Sequence, residues 1–146
     1  MKKLLKKYAL YGAWAQSLMG MLGSLYFSEI ANFPPCILCW YQRIAMYPLV
    51  VILAFAIYTK DKLMLLPALV LATAGWVVSL YQNLLYYDII PEETAPCTLG
   101  VSCTSQFVKV LGFIDIPLMA LIGFSVILGL LIYAWLDKSS DQDSRE

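Results

Sequence analysis

Cysteine is the residue type in this chain best suited to redox or nucleophilic chemistry, because histidine is absent from all 146 residues. The cysteines fall in two pairs, Cys36-Ile37-Leu38-Cys39 and Cys97-Thr98-Leu99-Gly100-Val101-Ser102-Cys103. Before the first pair stand Phe33-Pro34-Pro35. Two prolines break any preceding helix and suit the opening of the next, which places Cys36 and Cys39 in its first turn. At i, i+3 both sulfurs lie on one helix face, close enough to bridge. The free N–H groups and positive end of the helix favour a thiolate there, so the pair reads as reactive rather than inert.

The second pair sits in a polar stretch. A disulfide between Cys97 and Cys103 closes so short a ring that it restricts the unfolded chain by only about 2.4 kcal/mol. An accessible disulfide in a small ring is also readily attacked by an outside thiolate. Structural bridges are the competing reading, since cysteines facing an oxidising exterior commonly pair for stability. A Cys-x-x-Cys at a helix start spans almost nothing, which makes it a poor staple. A four-cysteine metal site is the other alternative; an oxidising exterior disfavours it, and no metal is expected.

The elements that carry these pairs follow from composition. The chain is 61% hydrophobic and 14% charged, far from the balance of a water-soluble domain. Ten basic and ten acidic side chains cancel, leaving no overall charge to attract nucleic acid. Four apolar stretches, Tyr8 to Phe27, Tyr41 to Thr59, Leu63 to Leu85 and Ile116 to Leu136, each approach the roughly 20 residues needed to cross a bilayer. The first follows Lys2, Lys3, Lys6 and Lys7 as a signal peptide would, but its apolar run is too long for an h-region and lacks a clear cleavage site. It reads as a retained helix.

Eight basic residues (Lys2, Lys3, Lys6, Lys7, Lys60, Lys62, Lys138, Arg145) fall on one side of a four-span layout and two (Arg43, Lys109) on the other. Both termini are therefore expected in the cytoplasm. The cysteine-bearing segments, Ser28 to Trp40 and Tyr86 to Asp115, face outward. The expected architecture is an all-α transmembrane four-helix bundle in one domain, residues 1–136, followed by a polar cytoplasmic tail, 137–146, without apolar periodicity and expected to be disordered.

Smaller features fit that frame. The turn Thr59-Lys60-Asp61-Lys62 is tight enough to make the second and third helices antiparallel neighbours. Pro48, Pro67 and Pro117 fall in or at spans, where neighbouring helices can satisfy freed carbonyls. Trp14 and Trp135 suit interfacial belts, while Trp76 is deeper and reads as bundle packing. From Gln106 to Ile114 the apolar residues recur at roughly helical spacing, as an amphipathic piece on the outer surface or as a packed loop. Arg43 is the lone basic residue within a span. It either snorkels to the outer headgroups or serves a site near Cys39, four residues before it on nearly the same face.

The four-span layout, the run Cys36-x-x-Cys39-Trp40-Tyr41-Gln42-Arg43 and a second cysteine pair in the second outer loop together resemble the DsbB family of disulfide bond formation proteins, and most of all its short Gram-positive branch, the BdbC type. The resemblance covers residues 8 to 136. It implies an enzyme of the bacterial cell membrane, a quinone-dependent thiol-disulfide oxidoreductase. The partner would be a thioredoxin-fold thiol oxidase of the DsbA/BdbD type and the electron acceptor a membrane quinone, menaquinone or ubiquinone. By the same resemblance, Cys97 would be attacked by the reduced partner, Cys103 would pass electrons to Cys36, Cys39 would face the quinone and Arg43 would sit beside it. This chain separates its second pair by fewer residues than Gram-negative members do, and it has no histidine for a quinone contact; Gln42, Gln82 or a tyrosine can substitute. A vitamin-K-epoxide-reductase-like enzyme shares these parts but carries its quinone-facing Cys-x-x-Cys after the loop pair. A membrane scaffold with two structural disulfides is the non-enzymatic alternative.

Overall fold

The computed structural model describes residues 2–32, 35–61, 63–91, 109–110 and 114–143. Four helices dominate it: α1 (Lys2–Leu25), α2 (Ile37–Thr59), α3 (Leu65–Tyr86) and α4 (Ile116–Asp143). α1 runs on into a π-helical turn, Tyr26–Ile30. The helices α2, α3 and the Ile116–Leu136 part of α4 are long and apolar enough to cross a membrane. In hydrocarbon such segments must satisfy their backbone internally, which the helix does. α1 is less apolar, with its lysines at one end and Gln16, Ser17 and Ser24 along its length.

Each helix packs on two others, in the cycle α1–α2–α3–α4–α1. The expected tight turn joins α2 to α3. Lys60 adopts the left-handed conformation (φ 56°) and its N–H bonds to Ala56 O at 3.1 Å, closing α2. The Asp61 carboxylate then accepts from the Leu63 N–H at 3.1 Å. Pro67 and Pro117 lie in the first turns of α3 and α4, where no intrahelical N–H is needed, whereas Pro48 lies inside α2.

Small residues bring the backbones together. Ala13, Ala56, Ala68 and Ala72 share the core with Leu49, Leu53, Ile127 and Leu131, the composition expected where close approach replaces a hydrophobic driving force. At Gly75 a Cβ would overlap the Phe124 ring, so this glycine lets α4 insert an aromatic against the α3 backbone. Trp76 Nε1 donates to Ser125 Oγ at 2.9 Å, tying α3 to α4 as bundle packing. Outward, Val51, Phe55, Val70, Val77, Ile122 and Ile132 are exposed, an apolar belt that only lipid or a partner would cover.

Two expectations need correction. α4 continues to Asp143, so residues 137–143 of the tail are helical; nothing in Asp137-Lys138-Ser139-Ser140-Asp141-Gln142-Asp143 stops a helix already nucleated. In the segment read as an amphipathic piece or a packed loop, the helical alternative fails: Lys109–Val110 (β1) pairs antiparallel with Ile114–Asp115 (β2), Lys109 opposite Asp115 and Val110 opposite Ile114. Antiparallel pairing of these two segments is not compatible with one helix running through both.

Candidate functional site

Cys36 is the N-cap of α2, with extended backbone (φ −70°, ψ 168°), and its sulfur accepts the Cys39 N–H at 3.4 Å. The cap position takes one of the donors that a helix start leaves without an intrahelical partner. Cys39 sits one turn along, and the two sulfurs are 2.7 Å apart. That separation needs only a small shift to close the bond of a disulfide. Cys36 is buried, in a small cluster with Leu38 and Leu85, and Cys39 is half-buried. The hydrogen bond to Cys39, and then burial, push the Cys36 thiol well above the ordinary thiol range.

Across the bundle α3 presents Gln82, only 3% exposed. Its Nε2 lies 3.5 Å from each of the two sulfurs, and its Oε1 accepts from Gln42 Nε2 at 2.7 Å. One further helical position along, Asn83 donates to Ser79 O and to Pro117 O, each at 2.8 Å, which pins the start of α4 to α3.

Arg43 is held by contacts within the bundle. Its Nη2 donates to Ser24 O on α1 at 3.0 Å, and its guanidinium carbon stands 5.4 Å from the Trp40 ring centroid. Ser24 lies just before the π-helical turn, where backbone bonding changes register from i−4 to i−5. Arg43 Nε is buried without a hydrogen-bond partner among the described residues, and so is the Tyr47 hydroxyl, one turn deeper.

A cavity of about 230 Å³ opens beside these groups, lined from all four helices. Cys36, Cys39, Gln42, Arg43, Met46 and Tyr47 line it from the α2 side, Gln82 from α3, Gln16, Gly20, Gly23 and Ser24 from α1, and Pro117, Gly123 and Phe124 from α4. Its walls are mostly apolar, and the glycines keep it open: a Cβ at Gly23 would meet nothing, while one at Gly20 would crowd the Met46 side chain. The volume falls below the roughly 300–1,000 Å³ of drug-sized sites and suits one flat ring system.

The structure therefore brings Cys36, Cys39 and Arg43 to one cavity, while Cys97 and Cys103 lie outside the described residues. Among the described residues no cluster of three potential metal ligands occurs. The sequence reading did not single out Gln16 or Tyr47, although each is a polar group set in an apolar span and was detectable as such.

Fold and site together define a membrane-embedded helical bundle built around thiol-disulfide chemistry. The family model described as "Disulfide bond formation protein DsbB" matches residues 6–135, and the chain belongs to that family. It is 42% identical over 142 residues to the "Probable disulfide formation protein C 2" of Bacillus cereus, covering 97% of this chain and 98% of the relative. It is 46% identical over 121 residues to the "Disulfide bond formation protein C" of Bacillus subtilis (82% and 86%). A "Probable disulfide formation protein" of Chlamydia muridarum is 42% identical over 134 residues (92% and 97%). No solved structure matches the chain. Membership in the family implies a membrane oxidoreductase of disulfide bond formation.

Proposed function

We propose that this chain reoxidises an extracytoplasmic thioredoxin-fold thiol oxidase of the DsbA/BdbD type and delivers the electrons to a membrane quinone, menaquinone or ubiquinone. The observation that carries this reading is the apolar cavity holding both Cys39 and Arg43 against its wall. The fit to a quinone head rests on two buried hydrogen-bonding groups there without a protein partner, Arg43 Nε and Tyr47 OH. Carbonyl oxygens would satisfy both.

In the proposed sequence, a thiolate of the partner attacks the Cys97–Cys103 disulfide at Cys97, and Cys103 leaves as a thiolate. The partner's second thiol then displaces Cys97, so the partner ends oxidised and this pair reduced. Cys103 attacks the Cys36–Cys39 disulfide at Cys36, and Cys97 resolves that mixed disulfide, leaving Cys36 and Cys39 reduced. A quinone held beside Cys39 and Arg43 would supply the acceptor for two electrons and two protons, and Cys36 and Cys39 would return to their disulfide. Arg43 stabilises negative charge on an oxygen beside Cys39.

The chain reconstituted in lipid with quinone and a reduced thioredoxin-fold dithiol protein should consume both in equal amounts. Cys103→Ser should trap a complex linked through Cys97, and Cys97→Ser should abolish it. Wild-type rates in both single variants would sink the relay and leave two structural disulfides.

A further inference from the structure

From the hydrogen bonds around the first cysteine pair, we infer that Gln82 is a positioning residue for the reduced state of Cys36–Cys39, its side-chain amide aimed at both sulfurs by Gln42. The inference rests on the reading of that pair as redox-active, and adds what stabilises its reduced form.

A buried amide can point either its oxygen or its NH₂ group at a neighbour. Here Gln42 decides. Its Nε2 donates to Gln82 Oε1 at 2.7 Å, so the Gln82 oxygen is occupied on the side away from the cysteines and the NH₂ group must face them. That group has two hydrogens, and two sulfurs stand 3.5 Å from its nitrogen. Reversing the Gln82 amide alone would leave the Gln42 donor facing NH₂ and turn toward the sulfurs an oxygen that has no hydrogen to give a thiolate.

The consequence concerns charge. Two glutathione thiols reducing the Cys36–Cys39 disulfide leave one thiol, one thiolate, glutathione disulfide and one released proton. The thiol keeps its proton in the 2.7 Å contact between the sulfurs. The thiolate is an anion in a largely buried site at the start of α2, where an unpaired charge is costly. Gln82 offers it a hydrogen bond whichever sulfur carries the charge, and as a neutral group it brings no charge of its own. A disulfide has no such charge to stabilise, so the amide favours the reduced pair over the oxidised one and makes the pair the better oxidant.

The test uses the full chain carrying Cys97→Ser and Cys103→Ser, so that only the first pair exchanges, in quinone-free lipid nanodiscs. The samples are equilibrated against glutathione buffers, acid-quenched, and their free thiols counted by alkylation and mass. Gln82→Met keeps the shape without the donor; it should lower the equilibrium constant for reduction about tenfold, close to 30 mV for a two-electron couple. Gln42→Leu, which leaves Gln82 free to reverse, should lower it about threefold. The double variant should match Gln82→Met alone, because Gln42 acts through Gln82. A constant in Gln82→Met within twofold of the parent would overturn the inference, as would a double variant equal to the product of the singles. Should Gln82→Met lose its helical signal, Gln42→Leu decides: a threefold fall supports the role, and no change overturns it. A parent pair that no glutathione ratio reduces would instead overturn the redox reading on which the inference stands.

Discussion

Arg43 shows how little a residue's type says until its direction is known. A long cationic side chain near the outer end of a span can reach the headgroups, and on sequence grounds that competes with any role inside. In the structure it bonds to Ser24 O on α1 and lies over the Trp40 ring, it lines the cavity, and its Nε is buried without a partner among the described residues. Arg43→Met should therefore raise the apparent KM for quinone or slow its reduction about ten- to a hundredfold, the scale of a lost hydrogen bond to a charged group. Exchange between Cys97–Cys103 and the partner should persist. Arg43→Lys, with charge but without the planar fork, should fall between. Stopped-flow quinone reduction by pre-reduced protein isolates the step, and unchanged rate and quinone dependence in Arg43→Met would return this residue to membrane anchoring. The cysteine pair and Arg43 were legible in the sequence because their spacing along one helix is local. The Gln82 contacts bridge 46 and 43 residues and depend on which face α3 turns to α2, which only the packed bundle decides.

At the scale of elements, three of the four expected spans are helices long and apolar enough to cross a bilayer, and Thr59 and Leu136 end two of them as read. By contrast α1, expected as the first span, is helical but less apolar. The start of α2 came earlier than Tyr41 because Cys36 caps it. The pairing of β1 with β2 escaped a reading based on helical spacing, since six apolar residues in nine fit either period. Nor could the sequence show why Gly75 is a glycine. Its missing Cβ makes room for the fully buried ring of Phe124. Gly75→Ala should force that ring aside and cost about 1–3 kcal/mol, read as a lower thermal midpoint by circular dichroism in detergent. Phe124→Leu combined with Gly75→Ala should lose less than the sum of the two single changes. Strict additivity would mean that the contact does not constrain the bundle.

For the whole molecule, the remaining question is which way the bundle faces. The four helices alternate direction, so fixing one loop fixes them all. The link between α2 and α3 is short and contains Lys60, Asp61 and Lys62, and it lies at the end of the bundle away from Cys36, the N-cap of α2. The four-span reading of the sequence assigns basic residues to that end, eight against two, and short basic loops stay on the cytoplasmic side. Outward cysteines also fit the chemistry, since disulfides persist in an oxidising exterior and are kept reduced in the cytoplasm. A charge-impermeant thiol reagent applied to intact, reduced cells should therefore label Cys97 and Cys103 readily. Cys39 should react more slowly and Cys36 slowest, because the first is half-buried and the second 7% exposed. In a variant whose four native cysteines are replaced by serine, Asp61→Cys should resist the same reagent until the membrane is permeabilised. Labelling of Asp61→Cys in intact cells would invert the bundle, put both cysteine pairs in the reducing cytoplasm, and remove any extracytoplasmic thiol oxidase from the list of possible electron donors.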